Sequence, residues 1–151
     1  MATAQVRVRH ATAADADAVA GLAGGLAQSF AFSRPSFDAH YPALLAAGHA
    51  CLLVAVTGTD TAPGDHVGYL LGFEHLTFYA NGRVAWAEEV FVRDALRGRG
   101  IGRALMATFE QWALGRGCAL VALATRRAAP FYRALGYQDS AAYLRKLLHE
   151  G

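Results

Sequence analysis

The chain is short of lysine, of cysteine and of any sustained apolar run. Lys146 is its single lysine, and across 151 residues Lys plus Arg number 14 against 12 for Asp plus Glu, a formal net charge of +2. That balance gives no broad electrostatic footprint for a nucleic-acid duplex. The basic residues gather locally near Arg97 and Arg126, which suits a small polyanion better. The two cysteines, Cys51 and Cys118, lie in apolar runs, CLLVAV and CALVALA, so buried, reduced thiols are the economical reading. A zinc site needs more ligands at close spacing than the isolated His49-x-Cys51 pair supplies, and no metal is expected. No apolar run approaches the length of a membrane span. The Ala-rich, Arg-containing start carries Asp15, Asp17 and a Val6/Val8 alternation, which speak against a transit peptide, so the expected compartment is the cytoplasm.

What is present argues for a packed core. Hydrophobic residues make up 54% of the chain and eight are Phe, with a positive mean hydropathy, a composition of folded rather than disordered chains. A length of 151 residues fits one domain, 1–151, that buries a core without staples.

The pattern of apolar positions sets an order of elements. Val6 and Val8 alternate with Arg7 and Arg9 as a half-exposed strand. Thr12 and Asp15 read as the N-cap and N3 of a helix whose apolar face is Val19, Leu22, Ala23 and Leu26. Pro35 opens a second helix that Gly48 closes. Residues 50–57, 66–78 and 84–92 read as an antiparallel meander, with a turn-rich link at 58–65 and an Asn81-Gly82 hairpin signal. A helix ending near Gly115 and Gly117 follows, then a strand at 118–124 continuous enough to be buried on both faces. A short helix at 128–135 and a last strand at 143–148 complete a mixed α/β plan.

One stretch carries the chemistry. RGRGIG, residues 97–102, joins the apolar run Val90-Phe91-Val92 to the amphipathic run Ile101, Leu105, Phe109, Trp112, so its glycines sit at a strand-to-helix turn. The first turn of a helix has unpaired N–H groups and the positive end of the macrodipole, and glycine lets an anion approach the backbone. A Walker loop would end Gly-Lys-Ser/Thr where this one ends Gly-Arg-Ala, and a dinucleotide fingerprint would ask for glycine at Leu105.

The segment VFVRDALRGRGIGRALM resembles the acyl-CoA-binding motif of the GNAT (Gcn5-related N-acetyltransferase) superfamily, with Arg97, Gly100 and Gly102 at its fixed positions. The order of elements is similar to that of a GNAT domain over nearly the whole chain. The resemblance implies a mostly antiparallel sheet with a splayed parallel strand pair, flanked by helices. It implies an acyl-CoA-dependent N-acyltransferase, with acetyl-CoA as expected donor and direct attack by a primary amine.

In that reading Arg97, Gly98, Arg99, Gly100, Ile101, Gly102 and Arg103 hold the pyrophosphate, and the backbone of Val90, Phe91 and Val92 guides the pantetheine arm. A main-chain N–H near Phe91 or Val92 would polarise the thioester carbonyl. Glu88 is the first choice for general base through water, with Glu89 left as an alternative and Glu74 and His75 as reserves. Strand alternation groups Glu88 with Trp86 and Val90, and Glu89 with Ala87 and Phe91, unless a bulge reverses the faces.

Tyr132, in APFYRALGY, resembles the tyrosine the family places beside the sulfur as proton donor. Thr125 departs from the Asn often found seven positions earlier, and Pro130 threatens to distort the first helical turn. Phe30, Phe32, Glu74, Phe78 and Trp86 are acceptor-side candidates for a cationic amine with apolar parts. Small amines, amino acids, aminoglycoside-like antibiotics and protein lysines all fit that description. No nucleic-acid or membrane partner is expected, and a homodimer is left open. The alternative is a module that senses acyl-CoA without turnover, which would keep the glycine loop but need neither Glu88 nor Tyr132.

Overall fold

Thr12 and Asp15 set the first change of direction. The backbone N–H of Thr12 donates to Asp15 Oδ2 at 2.7 Å, completing a capping box that turns the chain out of strand β1 (Val6–His10) and into helix α1 (Ala16–Leu26) through a 3₁₀ turn, Ala13–Asp15. The computed structural model describes residues 5–26 and 29–149, so residues 1–4 of the Ala-rich start lie outside the described part. Helix α2 (Arg34–Ala46) starts on Ser33, whose hydroxyl accepts from the N–H of Ser36, with Pro35 in the first turn where its missing N–H costs nothing.

Strands β2 (Ala50–Gly58), β3 (Pro63–Thr77) and β4 (Gly82–Val92) follow as an antiparallel meander. Asn81, at φ 56°, and Gly82 turn the chain between the last two, as the Asn-Gly signal predicts. Helix α3 (Ile101–Gly115), β5 (Val121–Leu123) and α4 (Ala129–Ala134) complete the chain. Strand order in the sheet is β1-β2-β3-β4-β5, antiparallel until β5 joins β4 in parallel.

Both faces of the sheet are covered. Cys51, Leu53 and Ala55 of β2 pack under Ile101, Leu105, Phe109 and Ala113 of α3. Their alternates Leu52, Val54 and Val56 pack under Val19 and Leu22 of α1 and Tyr41 of α2. Two-sided burial explains why this antiparallel strand reads as an unbroken apolar run. Phe109 and Leu105 are fully enclosed. At the far end α3 stops in a Schellman arrangement, with Gly117 (φ 78°) donating to Leu114 O at 3.0 Å and Cys118 to Ala113 O at 3.0 Å.

Two expected strands are corrected. Residues 118–124 shorten to β5, whose three residues are only partly buried, although Ala119 N–H and Leu120 C=O still pair with β4 backbone at 2.8 and 2.9 Å. Residues 143–148 form no strand. Tyr143, Leu144, Leu147 and Leu148 are exposed there. The apolar residues of this segment fall in adjacent pairs, Tyr143-Leu144 and Leu147-Leu148, and not in the alternation of a half-buried strand. Pro130 proves harmless, because it occupies the first turn of α4, where no intrahelical donor is lost.

Candidate active site

The glycine turn is built for backbone exposure. Gly98 and Gly100 adopt φ of 78° and 84°, and a Cβ on either would meet nothing within 4 Å, so it is their backbone conformation and not protein packing that calls for glycine. Gly100 is the N-cap of α3, and the first capping bond runs from Ala104 N–H to Gly100 C=O at 3.0 Å. The N–H groups of Ile101, Gly102 and Arg103 have no protein acceptor among the described residues. Open space, free donors and the positive helix end together fit a diphosphate.

The arginines of this turn divide. Arg97 Nη2 pairs with Asp94 Oδ1 at 2.8 Å, stapling the turn on itself. Arg99 and Arg103 are exposed and form no ion pair among the described residues, which leaves them available to an anion.

Upstream of the turn the two parallel strands part. Strand β5 pairs with β4 only at Ala85, Trp86 and Ala87. Beyond that, no strand among the described residues pairs with Glu88 to Val92 on the β5 side, and a cleft of about 1180 Å³ opens. Val90 and Glu88 lie on its β4 wall, Leu123 to Ala128 and Tyr132 on its β5 and α4 wall, and Phe30, Phe32, Phe37, His40 and Tyr41 come from the α1–α2 side.

A bulge sets which carboxylate faces where. On the β3 side Leu71 faces Glu89 and Gly72 faces Ala87, so Glu88 is the extra residue on β4. Side-chain parity therefore slips by one. Ala87 and Val90 both pack toward α3, while Phe91 joins the α1–α2 cluster. The grouping of Glu89 with Ala87, expected from strict alternation, is overturned, as is that of Glu88 with Val90.

Glu88 is exposed, lines the cleft and forms no ion pair among the described residues. Glu89 also lines the cleft and accepts from the Tyr69 hydroxyl at 2.7 Å. Tyr69 is a residue that strand periodicity alone did not single out.

Of the other expected site residues, Trp86 and Tyr132 reach the cleft with Phe30 and Phe32. Burial raises the Tyr132 phenol above its ordinary range, which keeps it protonated and able to donate near neutral pH. Its helix is positioned by Thr125, whose hydroxyl accepts from Ala128 N–H at 3.1 Å, and by Tyr137, which packs edge-on against the Tyr132 ring and donates to Glu110 at 2.6 Å.

Glu74 and Phe78 do not line the cleft. Glu74 is buried and clasped between Arg83 and Arg116, each at 3.0 Å, because an enclosed carboxylate needs charged partners. Phe78 is fully exposed at the β3–β4 turn. His75, the reserve base, is exposed near the same end of β3. Among the described residues no helix is long and apolar enough to cross a membrane.

Comparison with known proteins bears on this arrangement. A thialysine N-epsilon-acetyltransferase from Bos taurus is 34% identical over 99 residues, which cover 59% of this chain and 55% of that protein, so the match spans little more than half of the relative's length. A transcriptional regulator from Bacillus halodurans superposes with a TM-score of 0.83 at 25% identity, covering 95% of this chain and 100% of the other. An aminoglycoside N-acetyltransferase crystallised with CoA superposes with a TM-score of 0.80 at 21% identity, covering 96% and 97% of the two chains. The model of the acetyltransferase (GNAT) family matches residues 21–137, from the middle of α1 through the glycine turn to the end of α4 and Tyr137, and the chain belongs to that family.

Proposed function

We propose that the protein is an acyl-CoA-dependent N-acyltransferase that moves an acetyl group from acetyl-CoA to a primary amine by direct attack. The observation that carries the proposal is a single cleft in which an unpaired carboxylate, Glu88, and a protonated phenol, Tyr132, share the gap between β4 and β5. Strand β4 ends at Val92, and the chain runs from there through the glycine turn to the N-terminus of α3.

Each group has a task the chemistry requires. The donor, when bound, supplies an activated acyl carbon and a thiolate leaving group. The N–H groups of Ile101, Gly102 and Arg103, with Arg99 and Arg103, hold the diphosphate, while Arg97 keeps the turn in shape through Asp94. The unpaired β4 edge at Val90 to Val92 offers main-chain groups to the pantetheine arm and an N–H to the thioester oxygen. An alkyl amine arrives protonated at neutral pH, and Glu88, directly or through water, takes the proton that must leave before attack. Tyr132 gives a proton to the departing sulfur.

For the acceptor, Phe30, Phe32 and Trp86 provide apolar surface beside the two carboxylates, a lining suited to a cationic amine with an aliphatic body. The test is thiol release from acetyl-CoA with thialysine, lysine, an aminoglycoside and a lysine-containing peptide as acceptors. Amine-dependent release with one of them is the expected result. Tight CoA binding by calorimetry with no release from any of them would replace this reading with a sensing module.

A further inference from the structure

Two carboxylates stand side by side in the cleft, and the fold treats them differently. Glu88 is the bulge residue, exposed and without an ion-pair partner among the described residues. Glu89 is tied by a hydroxyl that sits in one of the most enclosed places in the molecule, since Tyr69 is 1% exposed and donates to Glu89 Oε1 at 2.7 Å. The Tyr69 ring is itself wedged beside Phe91, with centroids 6.3 Å apart, within the cluster formed by Val19, Leu22 and Tyr41. Burial and the neighbouring Glu89 push the phenol far above its ordinary range, so the hydroxyl is a permanent donor. Among the described residues Glu89 Oε2 has no protein partner.

We propose that Tyr69 is a positioning residue that holds Glu89 still as the docking point for the acceptor's ammonium group, while Glu88 next to it takes the proton. This rests on the N-acyltransferase reading above. The two duties ask for opposite properties. A group that captures a cation works best when its rotamer is fixed before binding, because ordering a glutamate at the moment of binding subtracts from affinity. A group that shuttles a proton works best when it is solvated and mobile. The bulge meets both needs with adjacent residues by leaving one unpaired and turning the other toward β3. In the transfer itself a C–N bond forms as the C–S bond breaks. The ammonium gives one proton to Glu88, which passes it to solvent before attack; the nitrogen sheds its second proton to water as the amide forms, and the thiolate takes the proton of Tyr132, which solvent restores.

The experiment is steady-state kinetics of the full chain and its Tyr69→Phe, Glu89→Gln, Glu88→Gln and Tyr69→Phe/Glu89→Gln variants. Acetyl-CoA is the donor, and thialysine, lysine and an aminoglycoside are the amine probes. Loss of a charge-assisted hydrogen bond predicts that Tyr69→Phe raises KM for the amine about tenfold, with kcat and KM for acetyl-CoA within about twofold of the unsubstituted protein. Glu89→Gln raises the same KM further. The double variant is no worse than Glu89→Gln alone, because the two residues act as one unit. Glu88→Gln shows the opposite split, a loss in kcat with KM for the amine little changed.

A Tyr69→Phe variant with an unchanged KM for the amine, or one that weakens both substrates equally, overturns the positioning role while leaving the transferase reading in place. Additive losses in the double variant do the same. An unsubstituted protein that turns over none of the amine probes overturns both.

Discussion

Gly72 of β3 lies flat against the ring of Phe109 on α3. A Cβ on Gly72 would stand 2.3 Å from Phe109 Cε1 and 3.1 Å from the Trp86 carbonyl oxygen. The contact falls at the register shift that leaves Glu88 unpaired, so the helix presses on the sheet where the sheet is irregular. Gly72→Ala is therefore an overpacking change beneath a fully enclosed ring. It is expected to cost about 1–3 kcal/mol, seen as a lower urea midpoint with an unchanged m-value. Wild-type stability would separate the bulge from this packing.

At the glycine turn, Gly100→Asp adds a carboxylate where the diphosphate is expected to lie. Aspartate is among the side chains that tolerate the left-handed conformation that Gly100 adopts, at φ 84°, so the fold should persist. CoA affinity measured by calorimetry is expected to fall at least about a hundredfold, through lost approach and charge repulsion together. Unchanged affinity would move the anion site elsewhere.

Tyr132→Phe keeps the ring that packs against Phe131 and Tyr137 and removes only the proton donor. It is expected to lower kcat by about 10–100-fold while shifting CoA affinity by less than about twofold. Equal losses in both would reduce the residue to packing.

Glu74→Gln tests the structural role that replaces the expected acceptor contact. The Glu74 side chain is 6% exposed between Arg83 and Arg116, which are 46% and 37% exposed. Partial solvation of the arginines moderates the loss, which is expected to be about 1–2 kcal/mol. KM for every amine should stay unchanged. A selective rise in one of them would return Glu74 to the acceptor site.

Asp15 is expected to contribute to the acid sensitivity of the fold. Its carboxylate, 4% exposed, accepts from Arg9 at both oxygens, from His66 and from Thr12 N–H. The Arg9 hydrogen bonds come first among the causes that hold its carboxyl well below the usual range. A depressed carboxyl stabilises the fold fully above the unfolded-state value of about 4, and that contribution fades as pH falls through the lower folded-state value. Asp15→Asn is expected to remove about 2–3 kcal/mol at pH 7 and to flatten the decline in denaturant midpoint below about pH 4.

The meander, the helices and the glycine turn were legible because each is a local matter: Asn81-Gly82 turns a hairpin, Gly117 closes a helix, and Gly98 and Gly100 take a conformation other residues avoid. The unequal surroundings of Glu88 and Glu89 were not. No proline or glycine on β4 marks the bulge at that point; its companion, Gly72, sits on the next strand and is pressed by a ring 37 positions further along. Glu74 misled for a related reason. A carboxylate near aromatic residues reads as a binding group until its partner Arg116, 42 positions away, closes over it. Residues 143–148 are apolar in adjacent pairs, Tyr143-Leu144 and Leu147-Leu148, and do not alternate, so their spacing does not specify a strand.

The tail of α3 is locked at Gly117, and beside it Arg116 grips both Glu74 and the Gly48 carbonyl. Fifteen residues of helix place its head about 22 Å from that anchor. With its tail held there, the head of α3, the proposed seat of the donor's diphosphate, keeps a defined place relative to the sheet. The opposite wall, from Phe30 to Ser36, is held mainly through Arg34, which pairs with Asp17 and Asp38, and through Ser33, which caps α2. Exchanging that short stretch should retune which amine is accepted without unsettling where the thioester rests.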